Sequence, residues 1–317
     1  MRRDPPPPRS LIIDTDTGID DAIALLMALA SPNHRVVAIT AVNGNVPLDH
    51  VVRNIRIVLD AAGAPPTPVF PGATRHLVGE GVHARHVHGE DGLGDAGFRP
   101  STRPLEGEHA SLALIRMARE NPGVHTLVTL GPLTNIALAF ALAPDLPQLF
   151  ARVVTMGGAV HGRGNVTPSA EFNIFADPEA AAIVFERIPE VTLVPWETVL
   201  ETPVPWEQWE SLTSAGPMGQ KFVRPMTARL AQRHRTTREG FSLADPLAMA
   251  VALEEECATK TRAAHVQVET GGQLARGLTH AAAPRDPHHE NARIVEAVDR
   301  NAFLSLLEQT FARACHL

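Results

Sequence analysis

The feature that most constrains this chain is a repeated change of period, in which short β-branched runs alternate with longer stretches rich in Ala and Leu. Leu11-Ile12-Ile13 ends in acids, and beyond Gly18 the stretch 20–30 runs to Ser31-Pro32. A brief apolar run before a turn reads as a strand, and a longer one closed by Ser-Pro reads as a helix. The pattern recurs at 36–42 with 48–62 and at 126–130 with 133–142, with further strands at 153–156 and 191–194. Helices are also expected over 109–119, 178–186, 218–233, 246–253 and 301–314, and late strands over 264–268 and 293–298. Strands alternating with helices build a mostly parallel sheet covered on both faces. The expected fold is therefore α/β, a single domain over residues 11–317 with a Rossmann-like sheet. Its active site is expected at the C-terminal ends of the strands, where such sheets bind ligands. Residues 1–10, with four consecutive prolines at 5–8, read as a disordered polyproline tail. Stretches 71–108 and 197–219 show little periodicity, and the first is long enough to serve as a lid.

Charge narrows the function. Lys+Arg 28 against Asp+Glu 35 gives a formal charge of -7, whereas a protein that grips phosphate backbones is basic. Aromatic residues make up 4% with no Tyr at all, so an aromatic platform for single strands is missing too. Nucleic acid is therefore not an expected partner, but a cation is compatible. No apolar run reaches the length needed to cross a bilayer, and no apolar core of a signal peptide follows MRRDPPPPRS. Cys257 and Cys315 are too few for a disulfide framework. That points to a reducing compartment, the cytoplasm.

The turns that follow the expected strands carry the chemistry. LIIDTDTGIDDA, residues 11–22, places Asp14, Asp16, Asp20 and Asp21 within eight positions of a strand-to-helix turn. Acids this close repel one another unless a cation or hydrogen bonds compensate. A hard divalent cation takes carboxylate and carbonyl oxygens and is the natural compensation. Helix capping is the competing reading, because negative charge is also favoured at a helix start. Asn43-Gly44-Asn45, Gly131-Pro132 and Gly157-Gly158 follow the other strands, so all these turns are expected on one rim.

The acidic segment resembles the DxDxGxDDA signature of the inosine-uridine preferring nucleoside hydrolases. VNGNV (42–46), HGEDGLG (88–94), LGPLTNIALA (130–139), MGGA (156–159), GNVTPSAEFNIFADPEAA (164–181) and ADPLAMAVAL (244–253) match in the same order. The resemblance implies hydrolysis of the N-glycosidic bond of ribonucleosides to ribose and free base, around one Ca²⁺. It implies that Asp16, Asp21, the backbone carbonyl of Leu130 and Asp245 hold that ion, and that Asp16 is also the general base. By the same likeness Asp20, Asn45 and Asn173 hold the 2′ and 3′ hydroxyls. Asn165 and Glu171 hold the 5′ hydroxyl, Met156 packs on the sugar, Asp14 braces the site from behind, and His88 lies in a mobile loop over the pocket. The family likeness also implies a homodimer or homotetramer.

The sequence departs from that pattern at the leaving base. Many members have a His before the last metal-binding Asp; here that position is Ala244, in SLADPLA. The tyrosines that some members carry near 225–235 are absent, the stretch reading TARLAQRHR. His234, Arg235 and Arg238 are candidate donors or members of a solvated helix face, and Trp196 either stacks on a base or packs in the core. His83, His86 and His88 have a spacing that zinc also uses, although no Cys accompanies them. His161 and the pair His288-His289 read as solvated, and Asp177 as the N-cap of the helix that follows it at Pro178 or as a brace for Asn173. Two other functions remain open. One is a haloacid dehalogenase-type phosphatase with Asp14 as nucleophile and Mg²⁺, for which Lys221 and Lys260 lie outside the needed motif. The other is a protein that binds ribose or a nucleoside with little turnover.

Overall fold

The computed structural model describes residues 8–79, 81–283 and 290–317. Residues 1–7 of the expected tail and the pair His288-His289 lie outside the described residues. The strands are β1 (Arg9–Thr15), β2 (His34–Ala41), β3 (Val69–Pro71), β4 (His125–Thr129), β5 (Arg152–Met156), β6 (Val191–Val194), β7 (Val204–Pro205), β8 (Gly240–Phe241), β9 (Ala258–Val268), β10 (Thr279–Ala282) and β11 (Ala292–Val298). The helices are α1 (Ile19–Ala30), α2 (Leu48–Ala61), α3 (Arg85–His88), α4 (Ala110–Glu120), α5 (Thr134–Leu142), α6 (Phe172–Ala176), α7 (Pro178–Arg187), α8 (Trp196–Glu201), α9 (Trp206–Ala215), α10 (Arg224–His234), α11 (Ala244–Leu253) and α12 (Arg300–Phe311).

One nine-stranded sheet runs in the order β10-β9-β11-β6-β5-β4-β1-β2-β3, and β7 pairs with β8 apart from it. From β3 to β11 the neighbours are parallel. Within this sheet β9 on β11 and β10 on β9 are antiparallel, as is the separate β7–β8 pair. The mostly parallel α/β fold is thus as the sequence implies. The antiparallel edge is not readable there, because strand direction leaves no trace in apolar periodicity.

Neighbouring residues along each central strand feed opposite cores. Leu11, Ile13, Val128 and Val154 join α1, α2, α11 and α12 in one. Ile12, Leu127 and Val153 join α4, α5 and α7 in the other. Side chains alternate across a strand, so a sheet buried on both faces must be apolar at every position, as these runs are. Helix α1 is buried along nearly all its length, because it lies between the sheet and α11 and α12. A helix that is apolar all round, as AIALLMALA is, belongs in such a place.

Some boundaries differ from those expected. Strand β1 begins at Arg9, inside the expected tail, because Arg9 and Ser10 pair in register with His34 and Arg35 of β2. The stretch 197–219 contains most of α8, β7 and α9; its prolines interrupt the periodicity, but Pro205 sits at the start of α9, where a missing N–H costs little. The helix expected over 218–233 is a π-helical turn at Gly219–Val223 followed by α10. The described residues of the stretch 71–108 are irregular, as expected, apart from Pro71 at the end of β3 and from α3.

Candidate active site

A cavity of about 270 Å³ opens at the rim where β1, β2, β4 and β5 end. Two acids line it, Asp20 in the first turn of α1 and Asp245 in the first turn of α11, and two more, Asp16 after β1 and Asp21 in the first turn of α1, are fully buried beside them. Because α1 packs against α11, acids from opposite ends of the chain meet. One carboxylate oxygen each from Asp20, Asp21 and Asp245 lies within 4.8 Å of the others. Asp16 adjoins this trio. The likeness assigned Asp20 to the sugar rather than to the ion, yet Asp20 belongs to the tightest acidic group among the described residues.

Local bonds aim each carboxylate. Asp21 accepts the Thr15 hydroxyl at 2.6 Å on one oxygen, and the Gly18 amide at 2.8 Å and the Asn45 amide group at 3.1 Å on the other. The Gly18 bond caps α1, so the capping reading and the metal reading coexist in one side chain. Asp16 accepts the backbone amide of Asn45 at 2.6 Å on Oδ2, while its buried Oδ1 has no hydrogen-bond partner. Gly44 makes that arrangement possible: a Cβ there would stand 2.0 Å from Asp16 Oδ2.

Burial pushes the Asp16 carboxyl well up, and the neighbouring charge of Asp21 adds to it. Burial, with Asp21 again second, pushes Asp20 up to about 7. Asp245 is raised well above the usual carboxylate range by burial and then by Asp20, Asp21 and Asp16. Acids that cannot all ionise side by side are the surroundings a divalent cation relieves. The donor set fits one: it is all oxygen, the preference of a hard divalent ion, and Asp16 Oδ1 is a buried acceptor with nothing donated to it.

Asn173 donates to the Leu130 carbonyl at 2.6 Å and reaches the Met156 carbonyl at 3.3 Å. A carbonyl has two lone pairs, so the Leu130 oxygen keeps one. Glu171 is buried, accepts the amides of Asn173 (2.9 Å) and Gly158 (2.9 Å), and is raised by burial. Asn165 stands at the exposed edge of the cavity. His88 is not a loose loop residue. It closes α3, is buried, and accepts the backbone amide of Ile19 at 3.0 Å through Nδ1. Burial pushes it down to about 4.

Asp14 is fully buried behind the acidic group. Its Oδ2 accepts Thr40 at 2.6 Å and Asn135 at 2.8 Å, and burial raises it to about 7. It neither lines the cavity nor, unlike Asp16, faces the charges of Asp20 and Asp21, which leaves the nucleophile role in a phosphatase without support. Lys260 is paired with Glu296, away from Asp14. The zinc reading also comes apart: His83 donates to the Gly44 carbonyl at 2.8 Å, His88 faces Ile19, and among the described residues no histidine joins a metal-type cluster. Asp177 caps α7 through the Ala180 amide at 3.1 Å. Its other oxygen accepts Thr134 at 2.6 Å and Leu77 N at 2.9 Å, so it does not bond Asn173.

Two side chains escaped the sequence reading. Asn135 bonds Asp14, the Ala41 carbonyl at 3.0 Å and the Ala73 amide at 2.9 Å, joining the ends of β1 and β2 to α5. Glu197, buried in α8, accepts the amides of Val160 at 3.1 Å and His161 at 2.8 Å and holds the loop leading to Asn165. Only a polar residue inside an apolar helix start, as in LTNIALA, signals such a role. Trp196 lines the cavity and packs against the core at once.

A parallel α/β sheet with a carboxylate floor at its C-terminal rim defines an enzyme of the doubly wound class with its pocket at the strand ends. The model of the inosine-uridine preferring nucleoside hydrolases matches residues 11–305, and the chain belongs to that family. It is 35% identical over 294 residues to the inosine-uridine preferring nucleoside hydrolase of Leishmania major, covering 92% of this chain and 93% of that protein. It is 38% identical to the pyrimidine-specific ribonucleoside hydrolase RihA of Salmonella schwarzengrund, covering 94% and 97%. Its fold resembles a plant nucleoside hydrolase, PpNRh1, at a TM-score of 0.90 and 33% identity over 96% of this chain and 99% of that one. It also resembles an inosine-guanosine nucleoside hydrolase at 0.88 and 35% over 96% and 98%. The chain is accordingly an N-glycosidase. Among the described residues no helix is long and apolar enough to cross a membrane.

Proposed function

We propose that the protein hydrolyses ribonucleosides to ribose and free base in a Ca²⁺-dependent reaction. The observation that carries this reading is the unpartnered, buried Oδ1 of Asp16 beside the acidic group of Asp20, Asp21 and Asp245, next to a cavity lined by Asp20, Asp245, Asn45, Asn173 and Glu171. Asp16, Asp21, the Leu130 carbonyl and Asp245 would hold the ion. When bound, calcium supplies a lowered pKa to water and a fixed position for it.

The rest is work for the chain's own groups. Asp20, Asn45 and Asn173 hold the 2′ and 3′ hydroxyls; Asn165 and Glu171 hold the 5′ hydroxyl, with Met156 against the sugar. Positive charge builds on the ribose as the glycosidic bond opens, and the acidic floor stabilises it. Asp16 takes the proton of the attacking water. Hydroxyl-matched polar groups reject 2′-deoxy sugars, because a missing hydroxyl leaves buried partners unpaired.

The test is turnover of a panel of ribonucleosides with chelator and after calcium is restored, beside Asp16→Ala. Chelation is expected to stop hydrolysis and calcium to restore it. Asp16→Ala is expected to lose about 10³-fold or more in rate, the size of a general-base contribution, and to bind calcium more weakly. Wild-type turnover in that variant would refute the role of Asp16.

A further inference from the structure

Asn165 and Glu171, the pair placed on the 5′ hydroxyl, belong to a stretch with little structure of its own. Residues 157–171 contain no helix and no strand. A turn shapes them, in which the amides of Asn165 and Val166 donate to the Ala170 carbonyl at 3.1 and 3.2 Å. Asn165 is exposed at the edge of the cavity, so burial does not fix it either. A grip on substrate is only as exact as the support behind it.

The support is the β9–β10 hairpin at the antiparallel edge of the sheet. Ala170 pairs with Leu278 in an isolated antiparallel bridge. The Ser169 hydroxyl donates to the Leu274 carbonyl at 3.2 Å. Gly277, at φ +80, brings the hairpin so near α6 that a Cβ there would stand 2.9 Å from Phe175 Cα. Thr279 of β10 lies against Gly158, whose amide donates to Glu171. The hairpin thus touches the stretch at both ends.

Burial does not hold the tip of that hairpin. Residues 271–274 are exposed, Leu274 at 88%. An ion pair holds it instead. Arg276 donates to the two oxygens of Glu179 at 2.7 and 2.8 Å, and to the Thr270 carbonyl at 2.6 Å. The first two bonds tie the hairpin to the first turn of α7; the third ties its two limbs together. A guanidinium fork on a carboxylate fixes direction as well as distance. Arg276 does not line the cavity, so it reaches the substrate only through the hairpin.

Resting on the function proposed above, we propose that Arg276 is a positioning residue for sugar recognition: by locking the β9–β10 hairpin onto Glu179 it sets Asn165 and Glu171 for the 5′ hydroxyl. Its effect on the reaction is confined to substrates that carry that hydroxyl. A residue that only stabilised the sheet edge would weaken the protein without regard to the sugar.

The experiment compares wild type, Arg276→Gln and Glu179→Gln. Arg262→Gln is the control, since it breaks a different ion pair of β9, with Glu296. The substrates are p-nitrophenyl riboside and its 5-deoxy analogue. Calorimetry with calcium present measures binding of anhydroribitol (a ribose ring without a leaving group) and of its 5-deoxy analogue, and the melting temperature of every protein is recorded. Wild type is expected to favour the hydroxylated member of each pair by about tenfold or more, because a missing hydroxyl leaves its partners unpaired. Arg276→Gln and Glu179→Gln should each bring both ratios toward one, by loss on the hydroxylated member alone, whereas the control keeps the wild-type ratios. The inference is overturned if either variant keeps the wild-type ratios, whether or not it melts earlier; should one fail to fold, the other decides. A wild type indifferent to the hydroxyl in both pairs refutes the placing of Asn165 and Glu171, and the inference with it. If wild type cleaves neither riboside, the proposed reaction fails instead, and the binding ratios still decide the role of Arg276.

Discussion

The backbone amide of Ile19 donates to Nδ1 of His88 at 3.0 Å, so the first turn of α1 fixes the imidazole that covers it. Gly18 admits the ring, since a Cβ there would stand 2.4 Å from the same nitrogen. The bond needs an unprotonated Nδ1, and burial holds His88 down to about 4 against an ordinary 6.5. The neutral form is the one the fold prefers. His88 therefore contributes stability fully above pH 6.5, and that contribution is lost as pH falls toward 4. At 1.36 kcal/mol per unit the loss is about 3 kcal/mol. His88→Asn keeps an acceptor for Ile19 and cannot titrate. Urea unfolding at pH 7 and 4.5 should show a smaller acid loss in the variant than in wild type; equal losses would mean that His88 titrates normally.

Gly44 is expected to tolerate no side chain. Its Cβ would fall 2.0 Å from Asp16 Oδ2, forcing the carboxylate off the Asn45 amide. A shift of about 1 Å in a reacting group costs about 10²-fold. Gly44→Ala should therefore lose about that much in kcat/KM while circular dichroism stays native. Unchanged kinetics would show that Asp16 is free to move without consequence.

Calcium should stabilise the protein more at higher pH. Asp20 stands at about 7 in the ion-free protein, above the ordinary 3.8. For such a carboxyl the folded state favours the protonated form, so stability is greatest below pH 3.8 and is lost as pH rises through about 7. A cation reverses that loss and must displace protons to bind. At a hundredfold excess over Kd the gain is about 2.7 kcal/mol. Melting curves with calcium and with chelator should separate more at pH 7.5 than at pH 5; a gap that does not widen would place the ion elsewhere.

With Ala244 at the cavity wall in place of a histidine, good leaving groups are favoured. p-Nitrophenyl riboside should be cleaved faster than inosine, and Ala244→His should raise turnover of purine nucleosides. Efficient inosine cleavage with an inert nitrophenyl sugar would contradict this, and no gain in the variant would mean that the base is already provided for.

The strand ends and the acids after them were legible because buried parallel strands write continuous apolar runs, and because four acids in one turn demand compensation. Asp245 became legible only through the likeness of ADPLAMAVAL, since nothing in local pattern says that α11 packs on α1. The antiparallel edge at β9 and β10 was hidden because pairing direction does not alter composition. Glu197 and Asn135 were hidden for a different reason: each works through backbone amides or carbonyls supplied by distant loops.

Asp16 lies at the end of the first strand and Asp245 at the start of α11, and that separation has a bearing on biosynthesis. A growing chain cannot close the acidic floor until most of it has been made, and contacts so distant in sequence form slowly. Ion capture should therefore accompany the last steps of folding, which makes calcium affinity a sensor of whether an individual molecule has matured.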